Sequence, residues 1–154
     1  MAFDDLSQHT THRRAMLACA LMMAGVPTAA WAQATAAPML RPGESIDVPG
    51  GRITVLGVDI KRGATTEVML RMRALADAQQ QLPIHTDIFR LLAADVPRAP
   101  RGMTTGDGPT SSFLVAKDSA VDFSCQFVVA DKTDDLVLQL RVDGAVERRR
   151  LPGR

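Results

Sequence analysis

The feature that most constrains this chain is a period of two. From Val121 to Val129 the apolar residues Val121, Phe123, Cys125, Phe127 and Val129 alternate with Asp122, Ser124 and Gln126. Successive side chains of a strand point to opposite faces, so this run predicts a long strand with one buried and one wetted face. A chain committed to such a strand must supply others to pair with it.

The rest of the sequence offers them. Short apolar runs separated by turn residues continue from Gly43 to Leu151, which is the pattern of an all-β domain. Ser45 to Val48 reads as a first strand, ended by Pro49-Gly50-Gly51. Arg52 to Lys61 follows, with Ile53 and Val55 on one face and Leu56, Val58 and Ile60 on the other; the change at Gly57 reads as a β-bulge. Thr65 to Ala76 admits two readings. Glu67 through Gln81 is rich in helix formers, yet Val68, Leu70, Met72 and Ala74 alternate with Met69, Arg71 and Arg73. The alternation favours a strand, with a helical turn over Asp77 to Gln81. Thr86 to Ala94 is expected as a strand carrying Ile88, Phe89, Leu91 and Leu92 and closing at Pro97, and Arg98 to Thr110 as a loop.

Beyond that loop, Ser112 to Ala116 is a short strand and Lys117-Asp118-Ser119 a turn. Leu136, Leu138 and Leu140 share one face of a further strand, with Val137, Gln139 and Arg141 on the other. Asp143-Gly144 is a two-residue hairpin signal leading into Ala145 to Leu151. The sum is about seven or eight strands, which predicts a β-sandwich.

This order of features resembles the telokin-like, immunoglobulin-like secreted domains of bacteria. The residues that carry the resemblance are Gly43-Glu44-Ser45, the run Ile53 to Val58, and Phe89 to Asp95. Lys117 to Val121 before a Phe-containing strand, and Asp135 to Leu138, complete it. It covers Gly43 to Leu151. It implies an immunoglobulin-like β-sandwich acting as an extracytoplasmic binding module, and it carries over no catalytic residue. The immunoglobulin-type disulfide and core Trp are absent.

The first 32 residues are expected to be a cleaved export signal. Arg13 and Arg14 form a positive end, Ala15 to Ala24 an apolar run, and Ala30-Trp31-Ala32 the small residues read by a signal peptidase, with cleavage before Gln33. Pro27 interrupts the run short of the roughly 20 apolar residues of a membrane-spanning helix, so no stable transmembrane anchor is expected. The paired arginines also resemble a twin-arginine signal, and the sequence leaves both routes open. The expected compartment is a bacterial periplasm or the cell exterior. Gln33 to Pro42, rich in Ala, Thr and Pro, reads as a flexible lead, and 43–154 as the domain. Cleavage removes Cys19, leaving Cys125 without a disulfide partner, so the domain must be held by its core. A chain of this size buries roughly two thirds of its unfolded surface, which suffices.

The net charge is +1, without the clustered basic face that nucleic acid demands. Candidate chemistry is sparse. His85 and Asp87 would share a strand face, and only Cys125 could join them toward the three or four ligands of a zinc site. Cys125 falls among buried residues, where it acts as a small hydrophobe. Met39, Met69, Met72 and Met103 supply soft thioethers for copper(I), although Met69 and Met72 fall on opposite faces of a strand. Asp131, Asp134 and Asp135 lack the glycine and distal glutamate of a calcium loop. Thr104 to Gly108 has no phosphate-loop lysine. Arg148, Arg149 and Arg150 suit an anionic partner, with Arg148 and Arg150 pointing one way and Arg149 the other; they equally suit an edge strand guarded by charge.

Two functions follow from the sequence. The first is an exported, non-enzymatic module, needing no cofactor, that binds a protein or cell-envelope component, with Arg148, Arg149 and Arg150 as its partner-binding residues. The second is a periplasmic copper handler using Met69, Met72 and His85.

Overall fold

The structure is a computed structural model that describes residues 37–130 and 133–153. The export signal and cleavage site expected in the first 33 residues lie outside these, as do residues 33–36 of the expected lead. Among the described residues, twelve strands and one 3-10 turn follow one another in the order β1 (Ser45–Val48), β2 (Gly51–Arg62), β3 (Thr66–Ala76), β4 (Leu82–His85), the 3-10 turn (Thr86–Ile88), β5 (Phe89–Ala93) and β6 (Val96–Arg98). Then come β7 (Gly102–Thr105), β8 (Gly108–Thr110), β9 (Ser112–Val115), β10 (Ala120–Val129), β11 (Leu136–Val142) and β12 (Ala145–Arg150). They form a six-stranded sheet in the order β1-β2-β3-β10-β7-β8, a four-stranded sheet β12-β11-β5-β6, and a two-stranded sheet β4-β9. The inner faces share one apolar core, so the protein is a β-sandwich.

The two longest alternating runs build the centre. β3 and β10 pair antiparallel from Leu75↔Ala120 to Thr66↔Val129, which resolves the Thr65 to Ala76 segment as a strand. Val68, Leu70, Met72 and Ala74 are buried, and so are Phe123, Cys125, Phe127 and Val129 beside them. Residues 77–81 form a bend rather than the expected helical turn.

Phe123 is where the three sheets meet. Its ring lies 5.8 Å from that of Phe89 on β5 and 5.2 Å from that of Phe113 on β9. These tilted and edge-on contacts add to the stabilisation from area burial.

The bulge in β2 corrects the parity read from sequence. Val55 faces Met72 and Gly57 faces Arg71, so Leu56 is the extra, unpaired residue. One inserted residue flips the alternation, which returns Val58 and Ile60 to the face of Ile53 and Val55; all four pack on or against the core. Leu56 alone of the expected second face stays outside, 39% exposed.

Three other expectations need correction. The single strand over Thr86 to Ala94 is instead the 3-10 turn followed by the shorter β5, because the chain leaves one sheet at His85, the end of β4, and joins another at Phe89. The loop over Arg98 to Thr110 contains the β7–β8 hairpin, which extends the large sheet. Proline lacks a ladder donor and belongs on edge strands, and Pro97 in β6 and Pro109 in β8 sit on such edges. The third concerns the expected flexible lead. Leu40 N–H donates to Arg150 O at 2.7 Å and Arg150 N–H to Pro38 O at 2.8 Å, a short parallel pairing that seals the free edge of β12. Burial of Leu40, 2% exposed, explains why this segment is held down.

The Asp143-Gly144 turn joins β11 to β12 as expected, with φ of +47° and +80°, the positive pair of a type I′ hairpin. Replacing Phe123 by Ala is expected to cost about 3–5 kcal/mol in denaturant melts; a loss below ~1 kcal/mol would contradict its place at the junction. Gly144→Val places a β-branched residue at positive φ, and an expected loss of about 1–3 kcal/mol is checked by the same melts.

Candidate functional site

The two outer faces of the sandwich differ in charge. On the six-stranded sheet the exposed cations are matched by carboxylates on neighbouring strands. Arg73 makes a two-point pair with Asp122, Nε to Oδ1 at 2.6 Å and Nη2 to Oδ2 at 2.9 Å. Arg52 lies 3.6 Å from Asp47 and Arg71 3.5 Å from Asp59. The Arg71 guanidinium lies over Gly57, where an added Cβ would sit 2.6 Å from its Nη2; the bulge glycine thus makes room for the arginine across from it. Lys61 stands opposite Glu67 in register. Exposed pairs of this kind add little stability, but they leave the face electrically balanced. An open hollow of about 360 Å³ beside Leu56 is lined by Arg71 and Asp122, both already paired.

The four-stranded sheet differs. Antiparallel pairing sets Arg90, Gln139 and Arg148 in one row across β5, β11 and β12. The neighbouring row runs Pro97, Leu92, Val137 and Arg150, and Met39 continues it through the parallel bridge to Arg150. Arg141 and Val146 stand opposite each other nearer the hairpin. Arg141 and Arg148 are exposed and make no ion pair among the described residues. Arg150 lies 3.7 Å from Asp135. Arg90 donates to Phe89 O at 2.7 Å and Thr86 O at 3.4 Å; carbonyls orient the guanidinium and leave its charge unneutralised. The face therefore carries arginines around an apolar strip, with Asp135 beside Arg150.

The structure divides the arginine triplet read from sequence. Arg148 and Arg150 belong to this outer face. Arg149 does not: it turns inward beside Leu138, where its Nε contacts Glu44 Oε1 and its Nη1 lies 2.9 Å from Glu147 Oε2. Glu44 belongs to the turn leading into β1, so this pair ties the edge of the small sheet to the start of the large one. The Arg149 side chain, by its hydrogen bond, holds the Glu44 carboxyl below its ordinary value, against the opposing effect of burial. Of the three, Arg148 and Arg150 share the outer face and Arg149 does not. Sequence reasoning missed Arg90, Leu92 and Met39 as their neighbours, since nothing local announces that β5 and the lead flank β11 and β12.

The metal readings come apart. Met69 lies on the outer face of β3, whereas Met72 is buried on the inner face, 1% exposed. His85 ends β4, and Asp87 falls in the 3-10 turn beyond it rather than on a shared strand face. Met69, Met72 and His85 thus form no common site. Met103 is buried beside Cys125, and burial pushes the Cys125 thiol up to about 12. Asp134 is turned to Arg62 at 3.1 Å, while Asp131 lies outside the described residues. Thr104 to Gly108 is the turn region of the β7–β8 hairpin. No helix among the described residues is long and apolar enough to cross a membrane.

No family model matches the sequence, and no curated protein matches it. Two solved structures share its fold at 10% sequence identity. An uncharacterized β-sandwich protein from Clostridium difficile 630 superposes with a TM-score of 0.54, covering 74% of this chain and 93% of that one. A protein named as a putative lipoprotein from Bacillus subtilis subsp. subtilis str. 168 gives 0.53, covering 74% of this chain and 39% of that one. At this identity the likeness establishes the β-sandwich and nothing finer.

The Glu44–Arg149 tie has a pH signature. A carboxyl lowered in the folded state contributes stability that is complete above its ordinary value of 4.5 and is lost as pH falls through the lowered one. Glu44→Gln is expected to be less stable than the native chain at neutral pH, with the gap narrowing progressively as pH falls below 4.5, measured by urea melts. Parallel pH profiles for the two proteins would contradict the tie.

Proposed function

We propose that this protein is an exported, non-enzymatic β-sandwich module, of the immunoglobulin-like secreted kind that its sequence resembles, that binds a component of the bacterial cell envelope. The observation that carries this reading is the charge asymmetry of the sandwich. One outer face pairs its own cations, and the other presents Arg90, Arg141 and Arg148 without an ion-pair partner among the described residues, beside Arg150 with its Asp135, around Leu92 and Val137. Clusters of like charge rimmed with apolar side chains are kept on a surface when something complementary covers them. The signal-like first 32 residues and the lipoprotein name of one fold neighbour support an extracytoplasmic location for that partner.

The test is expression of the full chain in a bacterial host. The expected product starts at Gln33, is released by osmotic shock, and sediments with washed envelopes in a salt-sensitive way. Retention in the cytosol with an intact N-terminus, or no association with envelopes at any salt, would overturn the reading.

A further inference from the structure

We infer that the outer face of the four-stranded sheet docks flat on an anionic phospholipid surface. This rests on the envelope-binding reading above and gives the partner a chemistry.

Three features of the face point to lipid. The first is its mixture of charge and oil. Leu92 is only 8% exposed yet stands outside the core, so the neighbours that cover it are those of the outer face, Pro97 and Val137 in its own row among them. Met39 and Val146, at opposite ends of this face, are 47% and 45% exposed. Guanidinium groups suit phosphate oxygens through paired N–H donors, while the exposed Met39 and Val146 at the ends of the face gain by entering the headgroup boundary. A soluble polyanion rewards the first set and leaves the second in water.

The second feature is flatness. The arginines are spread over three paired strands, β5, β11 and β12, rather than gathered in a cleft. A spread of cations is matched by a surface that spreads its anions. Third, the route by which an extended peptide adds to a sheet is taken on this side. Pro38 to Leu40 already pairs with the β12 edge. The same contact puts the start of the described chain at the rim of the face.

The contrast with the large sheet sharpens the assignment. There, Arg52, Arg71 and Arg73 are each answered by a carboxylate, so its outer face has little to offer an anionic surface. A molecule docking by its small sheet would hold the large sheet's face toward solvent.

An arginine near an anionic membrane is worth about 1 kcal/mol, or about fivefold in affinity. Arg141 and Arg148 are the ones to change, because both are exposed and neither is in an ion pair among the described residues. The experiment uses the chain from Gln33 onward, which contains every core residue described above, and vesicles of phosphatidylglycerol with phosphatidylethanolamine, against vesicles of phosphatidylcholine alone.

The expected result is sedimentation with the anionic vesicles only, reversed by high salt. Arg141→Glu with Arg148→Glu should weaken it by more than about tenfold, while Arg141→Lys with Arg148→Lys retains most of it. Unchanged melting of both double variants confirms that the fold is intact. Equal binding to both vesicle types, indifference to the glutamate pair, or capture by polyglutamate in place of vesicles would each overturn the inference. If vesicles fail while washed envelopes still retain the chain, the lipid assignment falls and the envelope-module reading stands; if both fail, both fall.

Discussion

The structure depends on the contact of three aromatic rings, Phe89, Phe113 and Phe123, each contributed by a different sheet. A β-sheet with one apolar face cannot stay in water alone; it must cover that face with another layer. Here β3 and β10 supply long alternating faces, and the small sheet closes over them at Phe89. The separate β4–β9 ribbon fills in beside them through Phe113. Because this chain has few aromatic residues, the junction concentrates much of the large-ring packing in one place. The remaining core is mainly aliphatic, with Leu70, Leu91 and Leu138 fully buried alongside Phe127.

Two local devices make that layering consistent. The Leu56 bulge resets the parity of β2, so that twelve residues of strand keep a single inward face against β3 despite one misfit. The Glu44–Arg149 pair and the backbone bonds of Pro38 to Leu40 then fasten the chain's start to its last strand. Both consume charges or donors that would otherwise face solvent at an edge. What is left over on the surface is unequal: a balanced face on the large sheet and an arginine-bearing one on the small sheet. The proposed docking role grows from that inequality, which is a property of strand pairing rather than of composition. A chain of net charge +1 gives no hint of it in bulk.

How much of this was legible beforehand follows from the range of the interactions involved. The alternation along Val121 to Val129 is local, so that strand, its buried face and the sealed Cys125 could be read directly, whereas along Val68 to Ala74 it competed with a helical reading that only the pairing with β10 removes. The Asp143-Gly144 hairpin is likewise local. The sandwich class followed from the repetition of such segments. The bulge was located, but its consequence was reversed, because an inserted residue restores parity only with respect to a partner strand that sequence does not reveal. The short strands carrying Pro97 and Pro109 read in sequence as the close of a longer strand and as loop, since three-residue pairings draw their stability from the sheet they join. The candidate face was half visible. Arg148 and Arg150 stood out as a cluster, and Val137, Gln139 and Arg141 were placed on one side of their strand. Arg90 and Leu92 joined them only through the β5–β11 register, a non-local pairing that no spacing announces.

The central claim is that the inner faces of the sheets form one dry core that encloses Cys125. Native-state reactivity of that thiol tests it most directly, using the chain from Gln33 onward, where no other cysteine is present. The account expects negligible labelling by a thiol-specific reagent in the folded protein and full labelling once denaturant opens it. Rapid, complete labelling under native conditions would contradict the enclosed core and, with it, the placement of every strand face described above.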